Sequence, residues 1–548
     1  MKYVELSKLA FRFRFSAFAA LSRKVRSQTE QVVISAASVK KKVMGEDAEG
    51  SVLFSVSGGP RIAEIDDNLN LEELKKSNLL IIRAKLQERK LSHWIFERGD
   101  SGIPIVNIPS QDYRKALESI AADPSFTSWY FRALLPNGRA ISKEEFVSAL
   151  ANRSDVVGVR LYRYVASGEK SHFFGNALQG VDIIRWGSDA KTDRLISEVW
   201  NPRATELPDP VSNAVSWAEH MGAANSALGY DVDFPIDAVI TWVDGDDVEW
   251  KKRKSAALGN SDDDLVKNAV DVSRFESLDE LRYCLRSIEQ YAPWIRKIYI
   301  VTDRQRPNWL NSSVDSKVQI VDHSEIWKDS TELPVFNSHA IEANLHRIKG
   351  LSEHFLYFND DMILTSPLSP ERFFHANGIS KVFYSRALVD FSPISDEDNV
   401  STVAAKNARQ ILSRDGFPTY NRKFFHTPYA LRVSVMNEME ERYPEIFAAT
   451  SRAKFRSLSD AALAGSFYFN FALSTGRAVP GRIRYDYIDP ADSIAVSRLR
   501  RITRRRDVEV VVINDGSQEV SEEKRNEIRR LVPRLLHDLL PVPSSFEM

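Results

Sequence analysis

The chain has 548 residues, 43% hydrophobic and 27% charged, with 74 Lys and Arg against 75 Asp and Glu and a net charge of -1. That composition reads as a globular protein of more than one domain, and the charge balance gives no pull toward nucleic acid. One cysteine, Cys284, excludes an internal disulfide and any Cys-rich zinc site, and it suits a reducing compartment.

Residues 1–42 carry ten Lys and Arg against Glu5 and Glu30, with Phe11, Phe13, Phe15 and Phe18 interleaved. The apolar patch "FSAFAAL" (15–21) is too short to span a bilayer, and no small-x-small cleavage site follows it. Residues 1–42 therefore read first as a plain basic arm, peripheral contact with an anionic membrane surface being the alternative. Residues 43–60, rich in Gly, Ser and acid, read as a linker, so that 1–60 form an arm and linker. Over 61–232 strand-like and helical patches alternate ("SNLLIIRAKLQE", "IPIVNI", "YRKALESIA", "WYFRALL", "VVGVRLYRYV"), which predicts an accessory α/β region. Its last stretch, 201–232, holds Pro202, Pro208 and Pro210 and reads as a connector. No motif there carries chemistry.

From 233 to 548 the pattern changes. "PIDAVITWVDG" is β-rich and stops at Asp244. "RFESLDELRYCLRSIEQYA" reads as a helix with Leu278, Leu281, Leu285 and Ile288 on one stripe and a capping box of Ser277 and Glu280. "RKIYIVTD" ends at Asp303 and "VQIVDH" at Asp322. "AIEANLHRI" reads as helical, with His339 before it. "HFLYFNDD" ends in Asp360 and Asp361, "VEVVVIND" in Asn514 and Asp515, and 521–540 form a closing amphipathic helix.

Five β-rich runs thus end in carboxylates, and most alternate with helices, so a mainly parallel sheet is expected. Ligands of such sheets bind beyond the carboxyl ends of the strands, so several of these acids are expected along one cleft. Converging carboxylates raise one another's pKa unless a cation is present. Mg2+ or Mn2+, bound through oxygens and shared with a substrate phosphate, resolves that conflict. A single strand-end Asp more often caps a turn; the adjacent pair in "FLYFNDDMIL" (355–364) does not fit that reading, because two carboxylates in so apolar a run need compensation. Arg274, Arg282 and Arg286 on or before the helix suit phosphate oxygens, a solvated helix face being the alternative for Arg286. His426 in "HTPY" lies in an extended segment, and Arg456 in "KFRSLSD" lies just before an expected N-cap. The run "RLRRITRRRD" (498–507) reads most simply as a solvated face.

These blocks resemble the Stealth family of sugar-phosphate transferases, which includes bacterial capsular polysaccharide polymerases and the animal lysosomal-enzyme N-acetylglucosamine phosphotransferase. The resemblance lies in "IDAVITWVDGDD" (236–247), in 274–311 and 333–364, in "HTPYALR" (426–432) with 454–473, and in "VVVINDGS" (510–517). It implies a nucleotide-diphospho-sugar transferase-like α/β core over 233–548, a divalent metal (Mg2+ or Mn2+), a UDP-sugar donor and a glycan or polysaccharide acceptor. Carried over by position, Asp244, Arg274, Arg282, Asp303, Asn337 and His339 would bind the donor. Asp360, Asp361, His426 and Arg456 would be catalytic, and Asp361 and Asp515 would hold the metal. At 301–305 "VTDRQ" departs from the family's Asn-Gly turn. The implied reaction is attack of a sugar hydroxyl on the sugar-bearing phosphate, releasing UMP and forming a phosphodiester in the cytoplasm or at the inner face of its membrane. Asp360 or His426 would take the proton. The alternatives are a metal-dependent glycosyltransferase releasing UDP and a non-catalytic polysaccharide- or nucleotide-binding protein.

Overall fold

The structure, a computed structural model, describes residues 51–548 apart from 57–58, 67–70, 97–102, 137–139, 141–149, 151–152, 154, 168–171, 175–176, 190, 200, 202, 211–213, 226–230, 260–276, 312–316, 396–397, 419, 506, 515–520 and 542. The basic arm, Arg274 and Asp515 lie outside the described residues. The chain divides into two compact units, one ending at Asn225 and one running from Ser226 to Met548. Among the described residues no helix is long and apolar enough to cross a membrane.

The first unit contains β1 (Ser51–Val56), β2 (Gly59–Ile65), α1 (Leu71–Glu88), β3 (Trp94–Phe96), β4 (Ile105–Pro109), α2 (Ser110–Ala122), β5 (Trp129–Leu134), β6 (Gly158–Ser167), β7 (His172–Phe174), β8 (Val181–Asp189), β9 (Arg194–Ser197), β10 (Glu206–Pro208) and α3 (Ala214–Asn225). The strands form one mixed sheet with the central order β1-β2-β6-β8-β4-β3. Ile82, Leu86, Leu117 and Ile120 from α1 and α2 pack with Val106, Val159 and Ile183 of the sheet. Two expectations change here. The run 43–60 is not all linker, since β1 and β2 pair antiparallel from Val56–Gly59 outward to Ser51–Glu64. The expected connector from 201 carries β10, which pairs with β9, and α3; tertiary pairing outweighs the local proline signal.

The second unit contains β11 (Ile236–Thr241), α4 (Val248–Leu258), α5 (Glu280–Tyr291), β12 (Ile298–Thr302), β13 (Val318–Asp322), α6 (Ser338–Glu342), β14 (His354–Asn359), β15 (Met362–Leu364), β16 (Ser380–Val382), β17 (Tyr384–Leu388), α7 (Val400–Arg414), β18 (Arg422–Phe424), β19 (Tyr429–Arg432), α8 (Val433–Arg442), α9 (Pro444–Arg452), α10 (Ser466–Ser474), β20 (Ala478–Pro480), β21 (Tyr485–Ile488), α11 (Ala495–Arg505), β22 (Val510–Ile513) and α12 (Glu522–Leu539). Its main sheet has the order β13-β12-β11-β14-β19. The first four strands are parallel and β19 is an antiparallel edge. This is the mainly parallel α/β core expected from the runs of apolar residues, which are continuous because helices cover both faces of such a sheet. Strand order reverses at β11, which has β12 on one side and β14 on the other; that reversal opens a crevice beyond the carboxyl ends of these strands.

Several local expectations are corrected. The run ending at Asp515 does not join this sheet: β22 pairs with β15 and β21 in a separate three-stranded sheet. The capping box of Ser277 and Glu280 does not form; Ser277 Oγ accepts from the Asp279 N–H, the Glu280 carboxylate accepts from the Leu278 N–H, and α5 starts at Glu280. The helix around 340 is only α6, which contains His339, followed by a single turn at Leu345–Arg347. Arg456 precedes a turn closed by Ser457 and Asp460 rather than a helix start.

Candidate functional site

The crevice holds a cavity of about 850 Å3, bordered by Thr241 and Trp242 at the end of β11, Asp303 after β12, Asn359 to Asp361 at the end of β14, and by α6, the start of α7, α10 and Asn514. Six of the residues expected at the site line it together: Asp303, His339, Asp360, Asp361, His426 and Arg456.

The paired acids sit where β14 turns into β15. Asp361 is 6% exposed. Its Oδ2 accepts from Asn514 Nδ2 at 2.6 Å, and its buried Oδ1 has no hydrogen-bond partner among the described residues. Burial pushes the Asp361 carboxyl up, while His426 and Asn514 draw it back. Burial and then the neighbouring Asp361 charge push Asp360 up to about 7. Glu280, buried at the start of α5, borders the same cavity, and burial with the Asp360 charge holds its carboxyl well above the usual range. The β14 end thus carries more negative charge than its protein partners compensate.

His426 lies between β18 and β19, with Nε2 3.9 Å from Asp361 Oδ1. Nε2 is 3.3 Å from Asn359 Nδ2 and Nδ1 is 3.2 Å from the Tyr429 hydroxyl. An amide nitrogen only donates, so Nε2 carries the lone pair and Nδ1 the hydrogen. Burial lowers the His426 pKa against the pull of Asp361, which keeps the ring neutral and able to take a proton.

A second group gathers around Arg456. Its Nη2 donates to Ser338 Oγ at 2.7 Å, and its buried Nε has no hydrogen-bond partner among the described residues. Glu342, on α6, is buried; desolvation raises its carboxyl, while His339 and Arg456 pull it down. His339 Nδ1 lies 3.1 Å from Asp460 Oδ2. Burial works against the Asp460 charge, but His339, Asn337 and Ser457 hold it below the ordinary range.

The other expected residues serve elsewhere. Asn337 does not border the cavity; it caps α6 and donates to Asp460 at 2.8 Å from behind the wall. The Asp244 carboxylate accepts from the Asp246 N–H at 2.9 Å within its own turn and does not border the cavity. Asp303 borders it, but its carboxylate is tied to Arg253 at 2.9 Å. Asp322 caps the turn His323–Ile326 in a capping box with Glu325. Arg282 faces Asp279 at 3.2 Å and Glu547 at 3.8 Å, and stacks 4.9 Å over Trp309. Arg286, on no solvated face, is 6% exposed and grips Glu547 at 2.7 and 2.8 Å. The site residues that sequence reasoning missed are Glu280, Glu342, Asn359 and Tyr429. Glu342 had a usable signal, since it follows His339 by three residues and so shares its helix face.

A hard divalent cation fits the donor chemistry of the acidic pair: a buried carboxylate oxygen on Asp361, orphaned among the described residues, stands beside a second carboxyl raised by burial and by like charge. Among the described residues no group of three or more His, Cys, Asp or Glu is arranged to enclose a metal.

Models of conserved regions 1, 2 and 3 of the Stealth proteins match residues 234–262, 274–382 and 425–472. An exopolysaccharide phosphotransferase of Streptomyces coelicolor is 36% identical over 521 residues, covering 91% of this chain and 87% of that protein. The chain belongs to the Stealth family of phosphotransferases. The relative CpsY of Mycobacterium tuberculosis, also an exopolysaccharide phosphotransferase by name, is 32% identical over 499 residues, 89% of this chain and 91% of its own. Among solved structures, the galactosyltransferase LgtC in complex with donor and acceptor sugar analogs overlaps 56% of this Stealth chain and 98% of its own, with a TM-score of 0.30 and 12% identity. So slight an overlap carries nothing about the fold, which rests on the strand order itself. The three Stealth regions contribute the β11 end, the Asp360–Asp361 pair with Glu280 and Glu342, and His426 with Arg456, so that three separated stretches of sequence meet in one cavity.

Proposed function

We propose that this chain transfers a sugar-1-phosphate from a UDP-hexose or UDP-N-acetylhexosamine to a glycan hydroxyl during capsular or exopolysaccharide synthesis. The observation that carries this reading is the meeting of the undercompensated Asp360–Asp361 pair with neutral His426 and Arg456 in one cavity at the sheet's switch point. The names of the Stealth relatives support the reaction class.

The acceptor oxygen attacks the β-phosphorus, the bond from that phosphorus to the bridging oxygen breaks, and UMP leaves with the bridging oxygen. The sugar's C1–O bond is untouched, so anomeric configuration is kept. A divalent cation held on Asp361, with Asp515 as the second ligand we assign, would neutralise phosphate charge as the bonds exchange. His426 takes the hydroxyl proton on Nε2, and Asp361 3.9 Å away stabilises the imidazolium that forms. Arg456, with Nε still unpaired, turns its guanidinium to the transferring phosphoryl oxygens. Glu342 and Ser338 orient that guanidinium. Asp360 keeps the acidic pair negative enough to favour the cation.

The test is product identity. Turnover of a UDP-sugar panel with a glycan acceptor should yield UMP and a phosphorus-31 phosphodiester signal on the acceptor. UDP as the sole nucleotide product, with no phosphorus on the acceptor, would replace this reading with a glycosyltransferase.

A further inference from the structure

Helix α10 presents Ser466, Phe469 and Asn470 to the cavity, spaced as one helix face. Asn470 is only 5% exposed, yet among the described residues its Oδ1 has no hydrogen-bond partner; the buried Oγ of Ser466 has none there either. Protein interiors rarely leave such oxygens unpaired, because each forfeits its hydration without replacement. Two on the same helix face, four residues apart and bordering one cavity, point to a ligand that pairs them. The neighbouring wall is aromatic: the Phe469 ring centroid lies 4.7 Å from that of Phe424 and 4.9 Å from that of Tyr429. Helix α7, packed against α10, brings Ser401, Ala404 and Ala405 to the same cavity, side chains small enough to leave room for a ring.

Aromatic faces beside unpaired oxygens match the two surfaces of a pyranose, whose C–H face is apolar and whose hydroxyls donate. We propose that Ser466 and Asn470 form a subsite for the ring hydroxyls of a neutral hexose. The inference rests on the sugar-phosphate transfer proposed above and adds to it the residues that read the sugar. A hexose can come from the donor or from the acceptor, and the two sources separate experimentally.

The test uses the full chain carrying Asn470→Leu, with Ser466→Ala as the second variant. Calorimetry measures UDP, UDP-glucose and UDP-N-acetylglucosamine, and turnover gives KM for a panel of neutral hexose oligosaccharides. A donor subsite weakens both UDP-sugars about tenfold while UDP binds as before. An acceptor subsite leaves all three nucleotides unchanged and raises the oligosaccharide KM about tenfold. In either case the Tm of Asn470→Leu holds, because Oδ1 has no partner to lose. Unchanged nucleotide affinities together with an unchanged oligosaccharide KM, or a lowered Tm with UDP and UDP-sugars weakened alike, would overturn the subsite. If Asn470→Leu does not fold, Ser466→Ala decides on the same readouts. Wild-type protein that binds neither UDP nor UDP-sugar sinks the transfer reaction itself and this inference with it.

Discussion

The main sheet of the second unit buries carboxylates at both of its ends and treats them oppositely. At the amino end of β11, Asp237 is fully buried and fully engaged. Arg296 holds it through Nε at 2.9 Å and Nη2 at 2.6 Å, and the N–H groups of Lys297 and Ser352 donate at 3.1 and 2.7 Å. At the carboxyl end of the adjacent β14, Asp361 has one side-chain hydrogen bond, an orphaned Oδ1 and a second carboxylate as its sequence neighbour. Taking a carboxylate out of water costs several kcal/mol at either end. At Asp237 a cation and backbone donors offset that cost; at Asp361 like charge adds to it. Burial alone therefore does not mark the site. The missing compensation does, and a cation from outside the chain is what would supply it.

That contrast breaks most readily at Asp361. Asp361→Asn keeps the shape and removes the charge, so transfer should fall about 100-fold or more with no loss of Tm. EDTA should abolish transfer in the wild type. Adding Mg2+ or Mn2+ back should raise the wild-type Tm and leave that of Asp361→Asn in place, because a ligand stabilises only the state that binds it. Unfolding of Asp361→Asn would make this carboxylate structural, like Asp237.

Asp237→Ala should do the reverse. It strands two backbone donors and half-exposed Arg296, so it should cost about 2–3 kcal/mol in denaturant melts, while the folded fraction keeps its kcat and KM. A Tm that does not move would remove the structural half of the contrast.

Asp360 supplies a pH signature. Its carboxyl titrates near 3.9 in the unfolded chain, as an ordinary Asp does at about that value, and is pushed up to about 7 in the fold. Between these values the folded chain holds a proton that the unfolded chain has released. Stability of the metal-free protein therefore falls as pH rises from about 4 to about 7. Asp361→Asn removes the neighbouring charge and should flatten the fall; Asp237→Ala should lower Tm at every pH without flattening it. Parallel Tm profiles for wild type and Asp361→Asn would show that the two acids do not sense each other.

The carboxyl end of the sheet was largely legible in the sequence, because β11, β12, β13 and β14 are short apolar runs whose ends carry Asp, and the doublet at 360–361 had no turn-capping reading. His426 and Arg456 stood out only weakly in the sequence, since a lone His or Arg in a loop has no local signature, and their catalytic roles came from the family resemblance. What sequence could not show was partnership across distance. Arg286 looks like a surface residue of α5 until Glu547, 261 positions away, is docked against it. Asp303 looks like a free strand-end acid until Arg253 is placed beside it. The strand ending at Asn514 reads as one more strand of the main sheet, yet its pairing with β15 puts it in another, and from there Asn514 reaches Asp361. Glu280 sits among charged helix neighbours and gives no sign of burial, whereas Glu342 is betrayed only by its helical spacing to His339.

The smallest predicted effect tests how far the tuning of Asp361 extends. Asn514 donates through Nδ2 to Asp361 Oδ2 at 2.6 Å, which turns its Oδ1 away from the carboxylate. The Tyr487 hydroxyl donates to that Oδ1 at 3.3 Å and so favours the amide orientation that keeps Nδ2 on Asp361. The link is long, and Tyr487 is 38% exposed, so water can replace part of what the hydroxyl supplies. Tyr487→Phe should therefore lower kcat only about two- to fivefold, in keeping with one modest hydrogen bond, with KM for the donor and the Tm unchanged. Asn514→Ala removes the only side-chain hydrogen-bond donor to Asp361 among the described residues and should lower kcat further while leaving Tm unchanged. If Tyr487→Phe lost as much activity as Asn514→Ala, the hydroxyl would be fixing the amide outright and the site would reach as far as β21. If both variants kept wild-type kcat, Asp361 would need no protein donor at all, and the contrast with the fourfold-held Asp237 would be sharper still.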